Sequence, residues 1–200
     1  MTRFYLLFLL LVAIAVPFAT ADTIQLTNTN LSGVSNVGYV TLTSQAGGVM
    51  VTLTANSGFS LKLNGGDILF STSASLNAGS ISQLLIDGTY TANFKFDSKS
   101  SIGGFSGFTY DLANLTKGTL PHGYVSAMHT ISFFVSGATL AQLKGVWGVH
   151  FCVGGGTNCG SGVTGFASNG AATVPEPGTL SLLGTGIVGL AGFFRRRLLS

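Results

Sequence analysis

Two cysteines, three histidines and five aspartates are the residues between positions 22 and 174 whose chemistry could exceed the folding of a chain. Cys152 and Cys159 flank six residues, three of them glycine, and such a loop can turn back to bring the sulfurs together. An even pair in an oxidising compartment is expected to close a disulfide, worth roughly 2–3 kcal/mol for so small a loop. With His150 as a third ligand the same cysteines could instead hold a metal, although structural zinc usually takes four ligands at tighter spacing. A catalytic thiol is disfavoured, because an exported pair would oxidise. His122, His129 and His150 have no Gly-x-Ser-x-Gly, His-Glu-x-x-His or paired-glutamate partner and read as structural or surface residues. Asp97 and Asp111 could supply the two opposed carboxylates of a glycosidase, but nothing in the sequence brings them together. The aspartates also form no calcium loop. No catalytic residue, cofactor or metal is therefore expected.

The second half is rich in aromatics: Phe94, Phe96, Phe105, Phe108, Tyr110, Phe133, Phe134, Trp147 and Phe151. Exposed rings would stack on sugars; buried ones would be the core of a sheet protein, and the core reading is preferred. Asn30-Leu31-Ser32 and Asn114-Leu115-Thr116 match the glycan acceptor pattern, read here as coincidence.

The elements that must position these residues read as strands. Residues 23–27, 40–43 and 49–54 alternate polar with apolar, and in the last two threonines line one face and β-branched or apolar residues the other. Gln45-Ala46-Gly47-Gly48 supplies a turn, so 38–55 reads as a hairpin. Further strands are expected at 60–63, 68–71, 82–86, 90–96, 107–112, 129–135 and 146–153, with Asp87-Gly88 as one of the turns. One short helix is expected at 139–143, capped by Thr139 with Leu140 and Leu143 facing inward. About ten short strands at this spacing predict an all-β, antiparallel β-sandwich or jelly-roll-like domain.

The net charge of +3 misleads, because Arg3, Arg195, Arg196 and Arg197 lie at the two ends of the chain. Between positions 22 and 174 five lysines balance five aspartates, with no arginine and no glutamate. Such a domain has no basic patch, and nucleic acid is excluded as a partner.

Both ends read as delivery signals. Arg3 begins a short basic region, residues 4–16 are apolar, Pro17 breaks the run, and Ala19 and Ala21 supply small residues at −3 and −1 of a signal-peptidase site. Cleavage after Ala21 leaves Asp22 as the new N-terminus. At the other end, Pro175, Glu176 and Pro177 form a rigid extended tripeptide that cannot enter a helix. Residues 178–194 carry no charge and as a helix would span about 25 Å, slightly under a hydrocarbon core of about 30 Å. Arg195, Arg196 and Arg197 then sit in the cytoplasmic interface by the positive-inside rule.

Pro-Glu-Pro, the following Gly-Thr-Leu-Ser-Leu-Leu-Gly-Thr-Gly and a terminal arginine cluster resemble the PEP-CTERM sorting signal. The resemblance is confined to the tail. It implies an exported protein of a Gram-negative, often exopolysaccharide-producing bacterium, processed at or near Pro-Glu-Pro by exosortase, a membrane protease-transpeptidase. The expected organisation is a signal peptide at 1–21, a β-sandwich ectodomain at 22–153, a Gly/Ser-rich spacer at 154–174 and the sorting signal with its single transmembrane helix at 175–199. The expected function is non-enzymatic. An inner-membrane-anchored precursor, exported through the Sec machinery and signal peptidase, passes to the cell surface or extracellular matrix with exopolysaccharide as a further partner. A glycan-binding module or a glycan-acting hydrolase is the alternative.

Overall fold

Strict alternation of threonine with Val, Leu and Ile leaves a strand one apolar face, and burying two such faces against each other is the simplest way to remove both from water. A computed structural model describes residues 20–62, 67–90, 94–113, 129–154 and 162–170, the side chains of Asp67 and Tyr90 excepted. Its strands are β1 (Ala21–Leu26), β2 (Asn28–Thr29), β3 (Gly38–Gln45), β4 (Gly48–Ala55), β5 (Phe59–Leu61), β6 (Asp67–Phe70), β7 (Ile81–Ile86) and β8 (Thr89–Tyr90). The chain continues through β9 (Lys95–Ser98), β10 (Ser101–Ile102), β11 (Phe105–Ser106), β12 (Tyr110–Ala113), β13 (Thr130–Ser136), helix α1 (Leu140–Leu143), β14 (Trp147–Val153) and β15 (Thr164–Ser168).

One sheet runs β1-β3-β4-β13-β7-β8 and the other β2-β15-β14-β6-β12-β9, with β5 also on β14. The pairings within both are antiparallel. Val40, Leu42, Val51, Leu53, Ile131 and Phe133 of the first sheet join Ile68, Phe70, Leu112, Trp147, Val149 and Phe151 of the second in one buried cluster. The antiparallel all-β reading therefore holds, with the two sheets packed across a shared core. At its centre Phe70 stacks on Trp147 at 4.9 Å and also meets Phe96, Tyr110 and Phe133. The Trp147 indole donates to the Leu143 carbonyl at 2.8 Å, so its one polar atom is satisfied inside the core.

The expected hairpin over 38–55 forms with the register Gln45 opposite Gly48. Asp87 and Gly88 take φ of 46° and 79°, the paired left-handed conformation of a tight turn between β7 and β8. Thr139 stands at the N-cap position of α1, where Oε1 of Gln142 accepts from both the Thr139 amide at 2.9 Å and its hydroxyl at 3.0 Å. Leu143 is fully buried below.

Three readings need correction. The segment 154–174, expected as a spacer, contributes β15, whose Ala167 and Ser168 are buried and which pairs along β14 from Gly148 to Cys152. Its Gly/Ser-rich composition masked the alternation of Thr164, Phe166 and Ser168 with Gly165 and Ala167. The single strand expected over 90–96 is divided between β8 in the first sheet and β9 in the second. The segment 107–112 yields only β12, and the hairpin β10–β11 ahead of it was not anticipated, although Gly103 and Gly104 at φ 56° and 90° form its turn. In addition, β5 and β6 lie in line along one side of β14, so the chain resumes its direction after residues 63–66. Residues 1–19, most of the expected signal peptide, and the tail from 171 lie outside the described residues, among which no helix is long and apolar enough to cross a membrane.

Candidate functional site

The hairpin β10–β11 folds over the outer face of the second sheet. Phe105 and Phe108 pack there on Leu69, with Ile102, Val146 and Phe166 around them. Gly148 of β14 has no side chain because a Cβ would stand 2.7 Å from the Phe108 ring. This cover buries β14 on both faces, which is why His150 and Cys152, pointing away from the main core, are only 7% and 1% exposed. The His150 ring stacks on Phe166 at 4.3 Å, its cross-strand neighbour. His150 is thus held by packing in a covered position. His129 is exposed at the start of β13, and His122 lies outside the described residues. Among the described residues no three His, Cys, Asp or Glu approach closely enough to hold a metal ion. None of the described cysteines is a free thiol, and Cys159 lies outside the described residues.

Asp97 and Asp111, unrelated in sequence, are direct cross-strand partners on β9 and β12. Directly opposed residues on one face bring their Cβ atoms to about 4.5–5.5 Å. Two lysines of the same edge answer them: Lys95 pairs with Asp97, and Lys99 approaches Asp111 at 3.7 Å. The Lys95 ammonium is pushed above its ordinary value, first by the hydrogen bond to Asp97 and then by that carboxylate's charge. Like charges placed opposite would repel, so the alternation Lys95, Asp97, Lys99 along an edge strand keeps the carboxylate pair compensated. It also places charge on an edge that could otherwise add a strand.

The aromatics belong to the two cores. Phe105, Phe108, Phe133, Trp147 and Phe151 are buried, and Phe94, Phe96 and Tyr110 pack against the main cluster. Phe134 is half-buried. The exposed large apolar side chain among the described residues is Val163. Asn30 is likewise committed, its Oδ1 accepting from the Phe166 amide at 2.8 Å; Asn114 lies outside the described residues.

At the N-terminal end Ala21 opens β1 opposite Thr43, and the Thr20 carbonyl accepts from the Ser44 amide at 2.9 Å. The Ala21–Asp22 bond therefore lies in the ladder of an edge strand. Asp22 pairs with Lys144; that hydrogen bond is the first cause holding its carboxyl below the ordinary 3.8.

At the other end a set of side chains fixes where the chain leaves the fold, and the sequence reading missed it. Asn169 closes a two-way bridge: its Oδ1 accepts from the Trp147 amide at 2.7 Å and its Nδ2 donates to the Gly145 carbonyl at 3.2 Å. Ser168 Oγ donates to the Trp147 carbonyl at 2.7 Å and accepts from the Gly170 amide at 2.9 Å. Asn28 Nδ2 reaches from β2 to the Gly170 carbonyl at 2.9 Å. Gly170 lies so close to Val146 that a Cβ would come within 2.9 Å of its methyl. The polar pair Ser168-Asn169 after an apolar alternation was the available signal, but Ser and Asn also mark loops.

The fold and its clamped exit define a β-sheet domain delivering a tail from a fixed point. The tail has an identity: the PEP-CTERM protein-sorting motif family matches residues 173–197. A motif of this kind marks an exported protein directed to exosortase, a membrane enzyme. Pro175, Glu176, Pro177, Arg195, Arg196 and Arg197 all fall within the match and lie outside the described residues. No curated protein and no solved structure matches the chain.

Proposed function

We propose that this protein is a non-enzymatic exported surface protein, whose ectodomain reaches the cell surface or extracellular matrix after exosortase acts on its tail and there associates with exopolysaccharide. The observation that carries the reading is the sorting motif at 173–197. The rest of the chain supports it. A signal peptide ending at Ala21 exports the ectodomain through the Sec route, residues 178–194 hold the precursor in the inner membrane, and Arg195 to Arg197 keep the tail's end cytoplasmic. Removal of an apolar tail leaves a mature protein without a membrane helix, the same logic as other removable C-terminal anchors. A neutral surface of hydroxyls and amides suits hydrogen bonding to polysaccharide, while the buried aromatics argue against a stacking platform. In an oxidising compartment Cys152 and Cys159 form a disulfide that fastens the loop after β14; reduction under denaturing conditions should then expose two alkylatable thiols where none was available before.

Replacing Glu176 with Ala, or deleting Arg195 to Arg197, tests the sorting step. Mass spectrometry is expected to find those chains membrane-bound with the tail intact, while normal release from them would remove the exosortase reading. The Asp97–Asp111 pairing favours one second reading, a hydrolase of surface glycans with these two carboxylates as its acid and nucleophile. Incubation of the ectodomain with surface glycan decides it: product formation lost in both Asp97→Asn and Asp111→Asn would establish the hydrolase.

A further inference from the structure

The exit clamp at Gly170 and the start of the sorting match at 173 are separated by Ala171 and Ala172 alone. Chain geometry turns this into a distance. Fully extended, a residue covers about 3.3–3.6 Å, so Pro175 lies at most about 18 Å from Gly170, and the apolar run beginning at 178 at most about 29 Å. A domain of this size is about 35–40 Å across. The leash is therefore shorter than the body it carries.

We propose that the precursor holds its ectodomain in one orientation, the end bearing Asn28, Ser71, Val146 and Gly170 facing exosortase at the membrane, and the opposite end of the second sheet facing away. The inference rests on the sorting reading and deepens it by naming the surface that the enzyme meets. Four features fix that end. Asn28, Ser168 and Asn169 tie the chain to β2 and β14 within two residues of its departure, so the leash cannot lengthen by fraying without breaking their hydrogen bonds. Ser71 Oγ accepts from the Val146 amide at 2.6 Å and the Ser71 amide donates to the Val146 carbonyl at 2.7 Å, which ties the end of β6 to the same spot. Thr27 and Asn28 are exposed there, and the exposed Lys144 beside Gly145 is paired with Asp22, so a close approach to another protein strands no unpaired ion. The opposite end is set by β15 itself: Val163 precedes it, 61% exposed, about 17 Å of strand away from Ser168.

The test uses the full-length precursor in cells that contain the sorting enzyme. A photoactivatable amino acid replaces either Thr27, beside the exit, or Val163, at the far end; both side chains are exposed and neither holds the core. Illumination is expected to give an adduct with the enzyme from Thr27 and to fall to background from Val163. Inserting about twenty Gly/Ser residues between Gly170 and Ala171 adds a mean reach of about 25 Å and should erase the difference between the two positions. Tail release with equal adducts from both positions in the unlengthened chain would overturn the orientation while leaving the sorting reading intact. Failure of every chain to lose its tail in the presence of active enzyme would overturn the sorting reading, and the orientation with it.

Discussion

In the turn after β7, Asp87 sits at φ 46° while its Oδ1 accepts from the His129 amide at 2.9 Å, the Thr130 amide at 2.7 Å and the Thr130 hydroxyl at 3.3 Å. The backbone answers in the same place, with the Asp87 amide donating to the Thr130 carbonyl. One carboxylate thus pins the beginning of β13. Asp87→Ala removes the acceptor and puts a side chain without local hydrogen bonding into the left-handed region; it should cost about 1–3 kcal/mol in urea unfolding of the mature ectodomain. Asp87→Asn keeps an acceptor oxygen and tolerates the same φ, so it should lose clearly less. Asp22 behaves differently, because its gain is electrostatic and exposed. Its folded pKa lies below 3.8, so the stabilisation from Lys144 is present above that value and is lost as pH falls through the lower folded pKa. Lys144→Ala should therefore narrow the stability gap to wild type as an acid titration passes below pH 3.8, and a gap unchanged into strong acid would reject the pairing. Lys95 has the opposite sign: its pKa is raised above 10.5, so its contribution holds below that value and disappears at higher pH. At this scale the sequence was informative about residue type but silent on partnership. Asp-Gly announced a turn, whereas its hold on Thr130, 43 positions away, needed the fold. Asp97 and Asp111 became neighbours only through the register of β9 on β12.

Among the elements, the hairpin β10–β11 depends on a single close approach. Gly103 stands at φ 56° against the Phe166 ring, which a Cβ would overlap at its root. Gly103→Ala adds both steric overlap and backbone strain, and it should cost about 1–3 kcal/mol. It should also uncover His150, read as a gain in exchange of nearby β14 amides; full protection in the variant would place the cover elsewhere. The hairpin escaped sequence reading because its strands are two residues long and its apolar residues, Ile102, Phe105 and Phe108, match neither period cleanly. The longer strands β3, β4 and β13 were legible for the converse reason, each presenting an unbroken alternation to one core. β15 shows how composition can hide an element: small residues pack where β14 and Leu31 come close, and Gly165 leaves no room for a Cβ beside Leu31. Phe133, central in the first sheet and fully buried, should cost about 3–5 kcal/mol as Phe133→Ala, against little for the half-buried Phe134 on the other face.

The whole molecule joins a β domain, described through Gly170, to a sorting motif at 173–197. Its charges separate along the same line, with the arginines confined to the ends and a balanced set of lysines and aspartates between. The tail was readable because a sorting signal is a linear code, recognised as chain; the domain's partner was not, because a ligand surface is assembled from distant strands. The fold adds that the domain runs to Gly170 and hands the chain directly to the motif. The central claim, that this protein is a substrate of the sorting enzyme, is tested most directly by the intact mass of the chain from cells with and without that enzyme. The account predicts a chain that begins at Asp22 in both, with residues beyond the Pro175–Pro177 region lost only where the enzyme is present. An unchanged C-terminus in its presence, or the same loss in its absence, would contradict it.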